Sequence, residues 1–385
     1  MSSSKTILFL AVLAFSACCC SPKPSSGGSD MIQVDLTKPQ NVSLFDYFKH
    51  IELIPLETND NVVIGDMEKV IYHQNRYYVL DGHRDQNIVL VFDDAGKFLF
   101  KIGNRGNGPG EYLLLYDIAI NPFTGNIELL DAMRKMIYSY DLQGNYVKST
   151  DQINHDELYS IRNIAVINEK TYVLIHGAAP FKIFYYDLDE QRIFHYEYEE
   201  NLLANRLSNF YHFYEYNGQS YFYHSTDRVT YKIEPDSLVK AYSWDFGKLN
   251  YDVNEIDFPE IYRNDSDKRR EYSDRLPYRF LTQGQNNRFI ISQIYQNNRK
   301  PAILIFDKST QECKLIEHFT ESVNFKPLIV TDEYVMNFID PGKLEEAFPT
   351  TEMLDESNRQ KIEALISAGE EQNPVIIKYK FKNLF

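Results

Sequence analysis

Cysteine is scarce in this sequence. Four of the 385 residues are cysteines, and three of them stand together at positions 18–20. The remaining one, Cys313, has no second cysteine in the rest of the chain with which to form a disulfide. The stability of the folded part must therefore come from packing.

Positive charge is also in the minority. The chain has 40 Lys and Arg residues against 55 Asp and Glu residues, which gives a formal net charge of −15. Proteins that bind nucleic acids usually carry basic patches. The charge balance therefore argues against nucleic acid as a main partner.

Common catalytic and metal-binding motifs are missing. The nine histidines show no HExxH pattern, and neither paired CxxC motifs nor a Gly-x-Ser-x-Gly elbow occurs. The glycine-rich residues 103–112 lack the Lys-Ser/Thr ending of a nucleotide-binding loop. We therefore predict no metal site and no cofactor.

The longest apolar run near the N-terminus covers residues 7–15, about nine residues, which is too short to span a bilayer of about 30 Å. It follows Lys5 and precedes Ser16, Ala17 and Cys18, a pattern typical of a bacterial lipoprotein signal. We predict a signal segment at residues 1–20 with Cys18 as the lipidated residue. Cys19, Cys20 and an ordinary secretory signal remain alternatives.

Residues 21–43 are predicted to be a flexible tether, because SPKPSSGGS at residues 21–29 is rich in Ser, Pro and Gly. An acidic run after the cysteines would favour export to the cell surface, and none is present. We therefore expect a lipid-anchored protein of the outer membrane that faces the periplasm.

Aromatic residues are abundant, with 29 Tyr and 25 Phe, and they favour strands. A strand end recurs at Asp93, Asp141, Asp187 and Glu234, at intervals of 48, 46 and 47 residues (93 to 141, 141 to 187, 187 to 234). Propeller blades of four strands have this period. We predict a six-bladed all-β propeller of four-stranded antiparallel blades over residues 44–385, in which residues 51–56 complete the last blade and close the ring.

Three short motifs carry a family resemblance: IPLET at residues 54–58, GPGEY at 108–112 and NPVII at 373–377. With them, the chain resembles the six-bladed β-propeller lipoproteins common in Bacteroides-type bacteria, which are similar in blade pattern to NHL-repeat propellers. The resemblance covers nearly all of the chain after residue 44. It implies the fold and the compartment but no reaction.

Two insertions are predicted, at residues 248–276 and 341–373. In antiparallel blades the blade-to-blade connectors lie on the same face as the loops between second and third strands, and we call this the connector face. Both insertions belong to it, and such elaboration usually marks a binding side. The second insertion should contain a short helix from Asp355 to residue 368, with an apolar side formed by Leu354, Ile362, Leu365 and Ile366.

Basic residues recur on the connector face. A guanidinium group suits carboxylate or phosphate, and we predict an anion-binding site from Arg84, Arg105, Arg134, Arg228 and Arg299. Glu111 and Tyr112 of the glycine-rich connector and His176 complete the candidates. The alternatives are that each arginine pairs with a neighbouring aspartate, and that His176 is structural.

The sequence thus predicts a non-catalytic binding or scaffold protein. Its partner would be an anionic small molecule, a glycan or a protein, with membrane contact through the lipid anchor only. Tyr-rich stretches at residues 211–216 and 221–223 could stack on sugars or pack between blades. Two alternatives remain, namely a lyase or hydrolase of glycans or peptides with its site at the channel mouth, and a structural component of an outer-membrane complex.

Overall fold

The computed structural model describes residues 31–83, 86–156, 158, 160–176, 181–200, 211–256, 265, 267, 271, 274–297, 300–369 and 372–382. The predicted signal segment with Cys18, the start of the predicted tether, Arg84, Arg299 and much of the first insertion lie outside the described residues.

The described chain forms six sheets. Two strands, β1 (Met31–Gln33) and β2 (Phe48–Pro55), precede the first complete blade. The first two blades contain β3 (Met67–His73), β4 (Arg76–Asp81), β5 (Ile88–Asp93) and β6 (Phe98–Ile102), then β7 (Leu115–Ile120), β8 (Ile127–Asp131), β9 (Met136–Tyr140) and β10 (Tyr146–Ser149). The third and fourth contain β11 (Ile161–Val166), β12 (Thr171–His176), β13 (Phe181–Asp187) and β14 (Arg192–Glu200), then β15 (Phe213–Tyr216), β16 (Gln219–Tyr223), β17 (Val229–Glu234) and β18 (Ser237–Asp245). The last two contain β19 (Tyr278–Gln285), β20 (Phe289–Gln296), β21 (Lys300–Asp307) and β22 (Glu312–Ile316), then β23 (Ile329–Val330), β24 (Tyr334–Ile339) and β25 (Val375–Phe381).

The early strand β2 is the outer strand of the sixth blade. It pairs antiparallel with β25, with Ile51 opposite Tyr379. The apolar core among the described residues divides into six clusters, one at each junction between neighbouring blades. The cluster between the sixth and first blades joins Ile376 to Val79. The predicted six-bladed propeller and its closure by an N-terminal strand are confirmed.

The predicted tether at residues 21–43 is wrong for its second half. Strand β1 pairs parallel with β18, with Ile32 opposite Trp244, and adds a fifth strand to the fourth blade. Ile32 and Val34 alternate with exposed residues and pack in the junction between the fourth and fifth blades. Burial of these apolar side chains holds residues 31–34 on the propeller.

The second insertion contains two helices, α1 (Leu344–Ala347) and α2 (Glu356–Ala368). Asp355 caps α2, since its carboxylate accepts a 2.8 Å hydrogen bond from the Asn358 backbone N–H, and Gly369 ends the helix with φ of 87°. Leu354, Ile362 and Leu365 are buried as predicted. Ile366 is 43% exposed, so its assignment to the apolar side is wrong.

Strand directions define two faces of the ring. Each innermost strand begins on the connector face, and each first-to-second and third-to-fourth strand turn lies on the opposite face, which we call the hairpin face. Within the described part of the chain, no helix is long and apolar enough to cross a membrane.

Candidate functional site

The innermost strands of the first three blades share a bulge near the connector face. In each strand the register shifts by one residue, between Met67 and Lys69 in β3, between Leu115 and Asp117 in β7, and between Ile161 and Asn163 in β11. The extra residues are Glu68, Tyr116 and Arg162. A bulge re-aims the side chain of its extra residue and often lies next to a functional site.

All three extra residues line one cavity of about 490 Å³, which we call the bulge cavity. Its wall also includes Arg105 from the first connector, Met133 from the second blade and Asn87. Met133 is 62% exposed and Tyr116 is 37% exposed, so both offer apolar surface to a ligand. The cavity size is within the range of small-molecule sites.

Hydrogen bonds between neighbouring blades fix the strands below this cavity. Lys69 Nζ donates to Asp117 Oδ1 at 2.5 Å and to the Ile118 carbonyl at 2.8 Å. Asp117 Oδ2 accepts from the Ile164 backbone N–H at 2.9 Å. Asp117 is fully buried, so this link is well shielded. The residues that follow the three bulges therefore tie the three strands together.

A second link holds the first two blades at the cavity wall. Asn87 Nδ2 donates to the Leu115 carbonyl at 3.0 Å, and Asn87 Oδ1 accepts from the Leu115 backbone N–H at 2.6 Å. Asn87 is 1% exposed. The start of β7, and with it the bulge at Tyr116, is thus held against the first blade.

Glu68 is a cavity residue whose carboxyl group has a raised pKa. Burial, followed by the charges of Asp66 and Asp117, raises its pKa to about 7, and Arg162 opposes the shift. The side chain lies against Gly82, where an added Cβ would be 2.2 Å from Glu68 Oε2. A bare backbone at position 82 therefore leaves room for the carboxyl group.

Arg105 is the predicted arginine that the described residues place in the bulge cavity. Its side chain is exposed. Its backbone pairs with Tyr112 in an isolated bridge across the glycine-rich connector. The wall of the cavity thus includes Arg105 and Arg162 together with Glu68.

Arg134 and Glu111 stabilise the glycine-rich connector. The Arg134 guanidinium donates to the carbonyls of Glu111 at 2.8 Å and Gly106 at 2.9 Å. The Glu111 carboxylate turns back and accepts from the Gly108 backbone N–H at 2.7 Å. The neighbouring Asp131 carboxylate binds backbone N–H groups, including that of Leu113 at 2.7 Å. Arg134 therefore stabilises the conformation of the glycine-rich connector through these hydrogen bonds.

Tyr112 and His176 are buried. Tyr112 has no exposed surface and packs in the core between the first two blades, and burial raises the pKa of its hydroxyl. His176 is 1% exposed, and its ring meets Phe184 edge-on at 6.2 Å. Neither side chain is among the described residues that line the bulge cavity.

Arg228 lies elsewhere on the connector face. It lines a separate cavity of about 600 Å³ with Tyr198, Tyr231 and the start of the first insertion at Tyr251. The three predicted arginines that the structure describes therefore do not meet at one site. Within the described residues, no three His, Cys, Asp or Glu side chains are grouped to hold a metal ion.

Sequence reasoning missed Glu68, Tyr116, Met133 and Arg162. One signal was available, because Glu68, Tyr116 and Arg162 are separated by 48 and 46 residues (68 to 116, 116 to 162), the same intervals as the blades. Nothing in the residue types marks these positions as bulges.

The ring of blades and the bulge cavity define the class of the molecule, a six-bladed β-propeller with a cavity on its connector face. Residues 30–380 match the family described as Domain of unknown function (DUF4934), and the chain belongs to that family. No curated protein matches the chain.

Two solved structures show the same architecture. A Bacteroides fragilis protein, provisionally named as exported, is similar with a TM-score of 0.71 and 16% identity over 92% of this chain and 100% of that chain. A member of the DUF4221 family from Bacteroides vulgatus is similar with a TM-score of 0.54 and 9% identity over 87% of this chain and 97% of that chain. At these identities the likeness shows the fold alone.

Proposed function

We propose that this protein is an exported, envelope-anchored binding protein whose bulge cavity holds a small anionic ligand. The observation that carries the proposal is the triple bulge, which turns Glu68, Tyr116 and Arg162 from three blades toward one cavity. A bulge re-aims the side chain of its extra residue, and the extra residues of these three bulges line the same cavity.

The chemistry of the wall favours a carboxylate that carries hydroxyl groups, such as a sugar acid. Arg105 and Arg162 supply planar N–H donors that match a carboxylate. Glu68, with a pKa of about 7, can accept a hydrogen bond from a hydroxyl group or donate one. The Tyr116 ring and the Met133 side chain offer apolar surface to the carbon skeleton.

Calorimetric titration of the purified protein with glucuronate, galacturonate and their neutral parent sugars tests this proposal. We expect saturable binding of an acid but not of its parent sugar. Arg162→Gln should weaken that binding about tenfold or more, the effect of one lost charge-assisted hydrogen bond. Arg192→Gln is the matched control, because Arg192 is an exposed arginine on the third blade.

Equal affinity in the two arginine variants would contradict the proposed site. The absence of saturable binding for both acids would contradict the proposed ligand class.

The envelope location rests on two observations. The first 20 residues have the pattern of a lipoprotein signal, and a structural neighbour is provisionally named as exported. Replacing Cys18 with Ala should abolish incorporation of radiolabelled palmitate in a Bacteroides host, whereas Cys20→Ala should not. Labelling that persists in the Cys18 variant would show that another cysteine is lipidated.

Glu68 also supports a second candidate function. A carboxyl group with a pKa of about 7 in a cavity is suited to general acid–base catalysis, as in a lyase or hydrolase of glycans or peptides. Product release from an oligosaccharide or peptide substrate by the wild-type protein, lost in Glu68→Gln, would favour this function over binding alone.

A further inference from the structure

A cavity of about 900 Å³ opens on the hairpin face, between the fifth and sixth blades. The turns after β19, β21 and β23 meet there with the end of β25 and the start of β2. Five cationic side chains line it, and we call it the basic cleft: Lys49, Arg288, Lys308, Lys380 and Lys382.

Two acidic residues, Asp332 and Glu333, also line the basic cleft. Among the described residues of the wall, five cations stand against two anions, and Asp307, which pairs with Arg288, leaves a local excess of two positive charges on a chain whose formal net charge is −15. A local excess of this sign attracts anions and raises their concentration near the surface.

Lys308 lies against neutral groups. Its ammonium donates to Gln285 Oε1 at 2.8 Å and to the Asn286 carbonyl at 2.6 Å, and it lies 4.3 Å from the centre of the Tyr216 ring. Burial lowers its pKa to about 8, and the charge of Asp332, which lies beyond ion-pair distance, opposes the shift. Within the described residues, no carboxylate forms an ion pair with it. A partly desolvated cation of this kind is stabilised by an incoming anion.

Two of the five cations already interact with acidic or hydroxyl side chains of the protein. Arg288 pairs with Asp307 at 3.0 Å, and Lys380 donates to the Tyr334 hydroxyl at 2.9 Å with Glu333 at 3.7 Å. Lys49 and Lys382 are exposed at the rim. The five cations therefore come from several strands and turns. Among the described residues, no single network of ion pairs neutralises all of them.

We propose that the basic cleft binds a soluble ligand that carries two or more phosphate or sulfate groups. Lysine ammonium groups bind such oxyanions as point charges. Cations contributed by separate strands and turns suit a ligand with several anionic groups better than a single carboxylate. The bulge cavity opens on the connector face, so this site is independent of the function proposed above.

Calorimetric titration of the purified protein with tripolyphosphate at low ionic strength tests the proposal. We expect saturable binding that the double variant Lys49→Gln, Lys382→Gln weakens about tenfold or more. The control is Lys240→Gln, Lys248→Gln, which removes the same charge at exposed positions on the fourth blade and the connector after it, and should change the affinity less than about twofold.

Lys308→Gln should also weaken binding, and its thermal unfolding is measured alongside to show that it folds. Equal losses in the two double variants would overturn the proposal, because binding would then follow net charge alone. Association with phosphatidylglycerol vesicles in the absence of tripolyphosphate binding would also overturn it, in favour of a lipid surface. Loss of tripolyphosphate binding in Arg162→Gln would place the ligand in the bulge cavity instead.

Discussion

Glu68 is a residue whose ionised form destabilises the folded protein. Its carboxyl group lies in the wall of the bulge cavity, where burial and nearby acidic residues disfavour the ionised form. A group whose pKa is raised on folding binds its proton more tightly in the folded state than in the unfolded state. The free energy of unfolding must therefore fall as the pH rises from about 4.5 to about 7.

Replacing Glu68 with Gln should therefore stabilise the protein above neutral pH. We expect a gain of roughly 1–2 kcal/mol at pH 8, below the full value of the shift because solvent screens a half-buried carboxylate, and almost none at pH 4.5, where the wild-type carboxyl group is protonated in the folded state. Urea unfolding at the two pH values measures the difference. Glu363→Gln on the exposed side of α2 is the control. If the Glu68→Gln variant is as stable as wild type at both pH values, the ionised Glu68 carboxylate does not destabilise the folded protein.

The residue scale is also where sequence reasoning reaches its limit. Arg134, one of the predicted site arginines, lies three residues after Asp131, but its guanidinium is bound by carbonyls 23 and 28 residues away. Glu68 and Arg162 have the appearance of ordinary strand residues, and only a one-residue shift of register turns them into the cavity. Such a shift depends on pairing between strands, which a pattern along one strand does not show.

At the scale of elements, helix α2 protects the outer edge of the sixth blade. Asn358 accepts from the Leu53 backbone N–H at 2.9 Å and donates to the Ile51 carbonyl at 2.8 Å. Lys361 Nζ adds a 2.7 Å hydrogen bond to the Leu53 carbonyl. These contacts satisfy backbone groups of β2 that would otherwise form a free sheet edge.

Asn358→Ala should therefore destabilise the protein by about 2–4 kcal/mol, because it leaves two buried backbone groups of β2 without partners. Gln360→Ala, at an exposed position of the same helix, should cost only a few tenths of a kcal/mol. Urea denaturation measures both. If both variants lose the same free energy of unfolding, the hydrogen bonds of Asn358 to β2 do not stabilise the blade.

Strands and helices could be predicted from the sequence where a pattern recurs along the chain or where a helix has clear end signals. Strand ends recur at nearly constant spacing, and the Asp355 cap and Gly369 define α2 within one residue. Strand β1 was missed because three residues next to a Ser- and Gly-rich run carry little periodic information. Its position depends on the exposed edge of β18, which lies more than 200 residues away.

At the scale of the molecule, two contacts of strand β25 hold the ring closed. Strand β2 pairs with β25, and the buried Lys378 of β25 also forms an ion pair with Asp94 of the first blade. The ring places the first three innermost strands side by side, and this arrangement gathers their bulges around one cavity. The proposed function thus depends on the closed ring and on the three bulges together.

A pair of crystal structures of the protein, one grown with glucuronate and one with galacturonate, tests this account most directly. We expect the ligand in the bulge cavity, with its carboxylate between Arg105 and Arg162 and a hydroxyl group within hydrogen-bond distance of Glu68. A bulge cavity that holds only solvent at saturating concentrations of both acids, or a ligand found in another cavity, would contradict it.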